Sequence, residues 1–388
     1  MNLSPWLIFA ASSMLLYINC DETGLKPRQN SEPNFGYSIS PHVEAGLTPQ
    51  LLALSGGAQL KLVWLQARLI NEDTTCYVPN YRDFLFNSPS SQLIVYSTDE
   101  GTGRILDTIP TSRGTPLISR DGTKVLWSDY SKQALYLINW DGTGKKILLQ
   151  GDIYQILCVQ WDSETQTEWV YISDVSSVPL FSMATGRNIC RYALRGTELD
   201  MTSKQLVSTK NFTSPWTVSG NGKYAGGDIN WPYARIESLP DGPLYQVSDT
   251  TMFTCHAQIA PDTSYLFFYL PASHYLFNMH KFCSYLGQVS INIDGNWKWD
   301  CCNPRWTNNS RYLTGGYPYC GGWFYSIISN PPPSNPKSIP TGTTGEFCVG
   351  KFDTNYTSIQ WIRITDQDIR FRKVVGDGWL SDGEGPGK

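Results

Sequence analysis

Histidine and cysteine offer the widest chemistry of any residues in this chain, and their spacing limits what they can do. The four histidines are His42, His256, His274 and His280, the last three within 25 residues of one another. Their spacing matches no metal-ligand motif. None of the ten cysteines forms a C-x-x-C pair, which excludes zinc-ribbon and thioredoxin patterns. We therefore predict neither a bound metal nor another cofactor.

The sequence also lacks a motif that would indicate nucleophilic or carboxylate-based catalysis. There is no G-x-S-x-G motif, and no Gly-rich phosphate loop is present. Asp129, Asp174 and Asp228 each follow a predicted strand, where Asp side chains commonly stabilise turns. The sequence therefore identifies no catalytic residues.

Tryptophan is the most suggestive residue type, with 14 copies beside 22 tyrosines. Trp297, Trp299, Trp306 and Trp323 cluster in sequence, with Arg305 among them. Aromatic rings stack on sugar rings and anchor protein partners. They also fill cores between packed sheets, so ligand contact and core packing both stay open.

Composition excludes several classes of protein. The 388 residues carry 30 Lys plus Arg against 34 Asp plus Glu, and only 16 % are charged while 41 % are hydrophobic. A disordered chain needs lower hydrophobicity and more net charge. A nucleic-acid binder needs an excess of positive charge, so we predict no nucleic-acid partner. The 33 glycines, 24 prolines and many aromatics favour short strands joined by tight turns.

The N-terminal residues predict export. Leu7 to Ile18 is an apolar run that is too short for a confident membrane span, and no other segment could be one. We interpret residues 1–20 as a signal peptide and residues 21–40 as a polar linker. Ten cysteines without metal spacing suit an oxidising compartment, so the expected location is secreted, periplasmic or at the cell surface. A lipid anchor at Cys20 is an alternative, although Tyr17, Ile18 and Asn19 fit that pattern badly.

One pattern returns along residues 41–380. Residues 116–149 contain four short apolar strands, with Asp-Gly turns at Asp121 and Asp141. Weaker copies recur roughly every 40–60 residues, which is typical of a propeller with four strands in each blade. We predict an all-β propeller of about six four-stranded blades, closed by pairing of N- and C-terminal strands from residues 37–45 and 358–380. Residues 381–388 are expected to be a disordered tail.

The best-preserved copy resembles the TolB-type, WD40-like propeller repeat. Arg120 stands where that repeat usually has Pro. The resemblance implies a β-propeller and no particular reaction, because the fold serves many functions. The matching residues are Ser119, Asp121, Gly122, Trp127 and Ser128, followed by Asn139, Asp141, Gly142, Thr143 and Gly144.

A propeller places the first strand of each blade along its central channel, and this placement yields a candidate site. Aligned on their turns, His256 and Asn303 fall at equivalent positions. Polar residues at an otherwise apolar axis are where a ligand would find partners. We predict a ligand-binding site at one mouth of the channel, and expect His256 and Arg305 to be replaceable by Ala without loss of the fold. The predicted ligand-binding residues are His256, Gln258, Asn303, Arg305 and Trp306.

A disulfide between Cys320 and Cys348 is also expected, since the two flank the Pro-rich insertion at residues 330–346.

On function, the leading prediction is an exported binding protein for a polysaccharide or a protein partner. A propeller lyase or glycoside hydrolase and a structural surface protein are the alternatives. Convergent carboxylates in the channel would favour an enzyme, and an aromatic mouth poor in carboxylates would favour binding.

Overall fold

The computed structural model describes residues 43, 46–68, 91–109, 112–129, 132–151, 153–174, 188–212, 216–230, 233–249, 254–271, 276–290, 302–318, 345–365 and 371–381. The predicted signal peptide, with Cys20, and the polar linker lie outside these residues. So does the tail beyond Ser381. None of the described helical residues belongs to a segment long and apolar enough to cross a bilayer.

The described strands form six four-stranded antiparallel sheets, which are the six predicted blades. Blade one contains β1 (Leu60–Arg68), β2 (Ser91–Ser97), β3 (Gly103–Ile109) and the C-terminal strand β24 (Phe371–Leu380). Blade two contains β4 (Ser112–Ile118), β5 (Lys124–Asp129), β6 (Ala134–Asn139) and β7 (Lys146–Gln150). Blade three contains β8 (Ile153–Asp162), β9 (Thr167–Asp174), β10 (Ile189–Arg195) and β11 (Glu198–Ser208).

The second half of the chain repeats this arrangement. Blade four contains β12 (Thr217–Val218), β13 (Tyr224–Gly227), β14 (Arg235–Ser238) and β15 (Leu244–Gln246). Blade five contains β16 (Thr254–Ile259), β17 (Leu266–Pro271), β18 (Leu276–Lys281) and β19 (Ser284–Ser290). Blade six contains β20 (Cys302–Trp306), β21 (Tyr312–Pro318), β22 (Gly345–Phe352) and β23 (Ile359–Arg363).

The blades form a closed ring. Strands β24, β4, β8, β12, β16 and β20 contact one another in that order, and β20 contacts β24 again. These six are the inner strands around the channel. The predicted β-propeller of six four-stranded blades is confirmed.

Burial follows position within a blade. Every residue of β17 is buried, and β5 is buried at all positions after Lys124, because a blade in a ring is covered on both faces. The outer strand β19 is largely exposed. Continuous apolar runs therefore mark middle strands, as in other sheets buried on both faces.

Six apolar clusters hold the ring together, one at each seam between neighbouring blades. At the seam of blades one and six, Trp64 stacks on Phe347 with ring centroids 5.2 Å apart. Helix α1 (Leu47–Ser55) adds Leu47, Leu51 and Leu54 to this same cluster. The closing seam is thus reinforced by a segment from outside the blades.

Closure uses both ends of the propeller. Strand β24 pairs antiparallel with β1, from Leu60 opposite Leu380 to Arg68 opposite Phe371. Val43 also forms an isolated antiparallel bridge with Thr365, next to the last strand of blade six. The prediction of closure by N- and C-terminal pairing is confirmed, with β1 as the N-terminal strand, whereas of the predicted residues 37–45 the described Val43 forms only an isolated bridge. The C-terminal strand becomes the inner strand of blade one.

Candidate functional site

A cavity of about 830 Å³ opens at the end of the channel where the inner strands finish. Its wall is built from the last residues of these strands and the turns that follow them. Blade two contributes Ile118 and Arg120, blade five Asp262 and Ser264, and blade one Asp377. The cavity is therefore shared by blades on all sides of the ring.

A repeated turn holds this rim in place. In blade two the Ser119 hydroxyl donates to Asp121 Oδ1 at 2.6 Å and accepts from the Lys124 amide at 3.0 Å. In blade four Ser219 makes the equivalent pair of bonds, with Asn221 and with the Tyr224 amide. These side chains satisfy the turn backbone after the inner strand, as Asp and Asn commonly do.

The floor of the cavity is a buried ion pair. Arg305 of β20 and Asp377 of β24 are 7 % and 8 % exposed, and Arg305 Nε lies 3.7 Å from Asp377 Oδ1. Arg305 also donates from Nη2 to the Leu157 carbonyl oxygen at 3.1 Å, and Asp377 Oδ2 accepts from the Ile118 amide at 3.0 Å. These contacts join the inner strands of blades six, one, three and two across the channel.

Burial raises the pKa values of two side chains that border the cavity, Asp377 and Cys158. Desolvation raises the pKa of Asp377 to about 6, although the Arg305 charge opposes this shift. Cys158 also borders the cavity, and burial raises the pKa of its thiol to about 12. The Cys158 thiol stays protonated at neutral pH and is a poor nucleophile.

Two half-exposed tryptophans stand at the rim, linked by one arginine. The Arg120 guanidinium lies 3.6 Å from the centroid of the Trp161 ring, and the Trp379 indole N–H donates to the Arg120 carbonyl oxygen. Arg120 itself is exposed, and among the described residues no carboxylate forms an ion pair with its guanidinium. The rim thus places two tryptophan rings beside the Arg120 guanidinium, which lies on the Trp161 ring.

Of the predicted site residues, Arg305 and Trp306 border the cavity. The Trp306 ring is 4 % exposed and packs at the seam of blades five and six, 5.1 Å from the Phe268 ring. Gln258 is fully buried. Its Nε2 amide donates to the Pro304 carbonyl oxygen and its Oε1 accepts from the Trp306 backbone amide, so this side chain joins β16 to β20. Its environment is that of a structural residue.

The other two predicted residues lie nearer the opposite end of the inner strands. His256 is half-buried in β16 with a left-handed φ of 56°, and it does not line the described cavity. Asn303 lies in β20, and its side chain is outside the described part of the chain. Trp297, Trp299 and Trp323 are also outside the described residues. Ligand binding by the predicted set stays a prediction.

Sequence reasoning missed Asp377, Trp379 and the role of Arg120. Arg120 carried a signal, since it replaces the usual proline of the repeat. Asp377 and Trp379 carried none: closure by a C-terminal strand was predicted, but not that this strand would be the inner strand of blade one. Asp228, predicted to stabilise a turn, accepts a hydrogen bond of 2.8 Å from Thr254 of the next blade.

Fold and site together define a six-bladed β-propeller with a cavity of mixed polar and apolar lining at one channel mouth. No protein-family model and no curated protein matches the sequence. Among solved structures, the chain is similar to TolB from Acinetobacter baumannii, at 9 % identity over 85 % of this chain and 70 % of that chain, with a TM-score of 0.48. It is also similar to a protein of unknown function from Bacteroides caccae, at 10 % identity over 83 % and 98 % of the two chains, with a TM-score of 0.45.

An oligogalacturonate lyase from Vibrio parahaemolyticus is a further similar structure. Its identity is 10 % over 78 % of this chain and 74 % of that chain, with a TM-score of 0.39. At these identities the likeness concerns the fold alone.

Proposed function

We propose that this chain is an exported binding protein that takes a glycan chain in the channel-mouth cavity. The observation that carries the proposal is the pair of half-exposed rings, Trp161 and Trp379, joined through Arg120 at the rim. Flat aromatic faces suit the C–H faces of pyranose rings, while nearby polar groups bond the hydroxyls.

The size and polarity of the cavity support this ligand class. A volume of about 830 Å³ lies within the range of about 300–1,000 Å³ found for small-molecule sites. Two cations, Arg120 and Arg305, face two carboxylates, Asp262 and Asp377, so the described lining carries no net charge. Hydroxyl-rich ligands need such mixed donors and acceptors.

Export belongs to the same proposal and rests on the N-terminal apolar run and on the use of cysteine. Expression of the full chain in a secreting host, followed by N-terminal sequencing, tests it. A mature protein that begins near Asp21 is expected. Retention of residues 1–20 would contradict the export proposal and would leave the binding proposal intact.

The binding experiment uses the purified protein on an array of immobilised neutral and acidic glycans. The W161A/W379A variant is expected to lose at least about tenfold in affinity, or about 1.4 kcal/mol. Y285A is the matched control, because Tyr285 is an aromatic residue 58 % exposed on the outer strand of blade five, outside the described cavity lining. Equal binding by all three proteins, or capture of a protein partner alone, would overturn the glycan proposal.

A glycoside hydrolase is the second candidate, because the Asp377 carboxyl borders the cavity with a pKa of about 6. A carboxyl group with a raised pKa can serve as a general acid in glycoside hydrolysis. Release of reducing ends from a bound glycan, abolished in D377N while binding persists, would support the enzyme. Binding without any release would favour the binding protein.

A further inference from the structure

The four charged side chains of the described cavity lining differ in how much of their charge a ligand can meet. They are Arg120, Asp262, Arg305 and Asp377. Their formal charges cancel, but their exposure is unequal. Arg305 and Asp377 are 7 % and 8 % exposed, whereas Arg120 is exposed at the rim. The charge presented to a ligand therefore depends on the contacts that each group already makes.

The two charges of the floor neutralise each other. Arg305 Nε lies 3.7 Å from Asp377 Oδ1, and the remaining contacts of both side chains are to the backbone. Arg305 Nη2 donates to the Leu157 carbonyl oxygen, and Asp377 Oδ2 accepts from the Ile118 amide. Neither group is left to pair with a charged ligand.

The carboxylate of Asp262 is engaged by its own turn. Its Oδ1 accepts hydrogen bonds from the Ser264 amide, at 2.9 Å, and from the Ser264 hydroxyl. Its Oδ2 is shut off from solvent. Asp262 also lies on blade five, which stands opposite blade two in the ring. This carboxylate therefore presents little of its charge to the cavity and lies far from Arg120.

The guanidinium of Arg120 is not engaged in this way. Its contact is the Trp161 ring, whose centroid lies 3.6 Å away. Among the described residues no group forms an ion pair or a hydrogen bond with this guanidinium. Glu168 acts on Arg120 electrostatically, but its Oε1 accepts from the Arg120 backbone amide and not from the guanidinium. Arg120 is thus the cation that a ligand in the cavity can reach.

The position of Arg120 is fixed on both sides of the peptide chain. Its amide donates to Glu168, and its carbonyl oxygen accepts from the Trp379 indole N–H. A guanidinium that lies on an aromatic face keeps its N–H donors in its own plane, directed away from the ring. The fork of donors is therefore held in place before a ligand arrives.

Arg120 is also set apart by its position in the repeat. When the repeated turns are aligned, the residues at its position in the other four aligned blades are uncharged, and all of them line the cavity. They are Trp161, Gly220, Pro261 and Asn308. The repeat by itself builds an uncharged rim, and blade two adds one cation to it.

Resting on the proposed function, we propose that the glycan is acidic, and that a uronic-acid carboxylate of this glycan binds the Arg120 guanidinium. The planar fork of N–H donors matches the two oxygens of a carboxylate. The acidic sugar then lies on the blade-two side of the cavity, away from Asp262. Arg120 sets the preference for an acidic sugar, whereas Trp161 and Trp379 serve acidic and neutral sugars alike.

The experiment measures the affinity of the purified protein for hexameric oligouronates of gluco, galacto and manno configuration. Each is compared with its own carboxyl-reduced form, which differs only in the acid group. The wild type is expected to bind at least one oligouronate about tenfold more tightly than its reduced form. R120Q should lose this preference, and R120K, which keeps the charge without the planar fork, should keep only part of it.

R195Q is the matched control, because Arg195 is exposed at the end of β10, outside the described cavity lining. Its preference should equal that of the wild type. Thermal unfolding of R120Q should also match the wild type, since Arg120 is exposed. If R120Q does not fold, the comparison of R120K with R195Q decides the question.

The possible outcomes separate this proposal from the proposed function. Equal affinity of the wild type for acidic and reduced oligomers would overturn the acidic ligand and leave glycan binding in place. A preference that persists in R120Q would overturn the role of Arg120. Equally tight binding of a sulfated hexamer would overturn carboxylate recognition in favour of charge alone. Absence of binding to every oligomer would overturn both proposals.

Discussion

The guanidinium of Arg305, on the inner strand of blade six, donates a hydrogen bond of 3.1 Å to the carbonyl oxygen of Leu157, on the inner strand of blade three. In a ring of six blades these two strands stand opposite each other. Arg305 therefore crosses the channel and forms its floor. The sequence predicted that Arg305 could be replaced without loss of the fold. Its burial and its contacts argue that it also stabilises the fold.

Replacement of Arg305 by Met should destabilise the protein. The change leaves Asp377 buried without its counter-ion, which typically costs about 3–5 kcal/mol. The loss should be larger at pH 7.5 than at pH 5, because at pH 5 the Asp377 carboxyl can bind a proton. Urea unfolding at both pH values measures it. The R305M/D377N double variant should recover part of the stability, and equal losses in the single and double variants would contradict the pairing.

Glu237 should make stability depend on pH near neutrality. Its side chain is fully buried, with Ser208 donating to Oε2 at 2.8 Å and Lys210 Nζ 3.9 Å from Oε1. Desolvation raises its pKa to about 7 from an ordinary value near 4.5. Because the folded state holds this proton more tightly, the contribution to stability is complete below about pH 4.5 and is lost as the pH rises through about 7.

The E237Q variant should therefore flatten the decline of the unfolding free energy between pH 4.5 and pH 7.5, by about 3 kcal/mol. Urea unfolding across this range provides the measurement. Glu164, half-exposed in its ion pair with Lys223, supplies the control variant E164Q, whose profile should follow that of the wild type. A parallel decline in E237Q and wild type would show that Glu237 is not the titrating group.

Gly122 and Gly142 form a matched pair for testing the rim. Both follow Asp in a turn with a left-handed φ, of 66° and 91°. A Cβ at Gly122 would lie 2.8 Å from the Trp379 ring, whereas at Gly142 its nearest neighbour is Leu106 at 3.7 Å. Both Ala variants should lose about 1–2 kcal/mol to backbone strain.

G122A alone should also displace Trp379 and weaken glycan binding. Indole fluorescence and binding on the glycan array report this difference from G142A. Identical spectra and affinities in the two variants would mean that Trp379 is not packed against Gly122 or plays no part in the site.

The bridge between Cys320 and Cys348 remains a prediction, since Cys320 lies outside the described residues. Cys348 is buried in β22 opposite Gly315, and Pro318 pairs with Gly345. Pairing of adjacent strands therefore does not by itself bring the two cysteines together. Such a bridge would close a loop of 27 intervening residues, for which chain entropy suggests roughly 3 kcal/mol. Peptide mapping without reductant should recover the joined peptides, and two free thiols would exclude the bridge.

Local features of the sequence were enough to predict the blades. Asp121 and Asn221 accept the turn hydrogen bonds expected of them, because these contacts join residues only two positions apart. The apolar runs between such turns predicted strands, and a four-stranded unit cannot bury both of its faces alone. Because the unit repeats, a closed ring of units buries both faces of every blade, and a ring could therefore be predicted.

The composition of the site was decided by tertiary structure alone. Arg305 meets Asp377, Leu157 and, through Asp377, Ile118, and these residues come from four blades. No local rule aligns β24 with the inner strands, since it completes blade one from the far end of the chain. Whether a polar side chain faced the cavity, as Arg305 does, or clamped two strands, as Gln258 does, depended on the packing of neighbouring blades. Such contacts join residues distant in sequence, so they arise only when the ring closes.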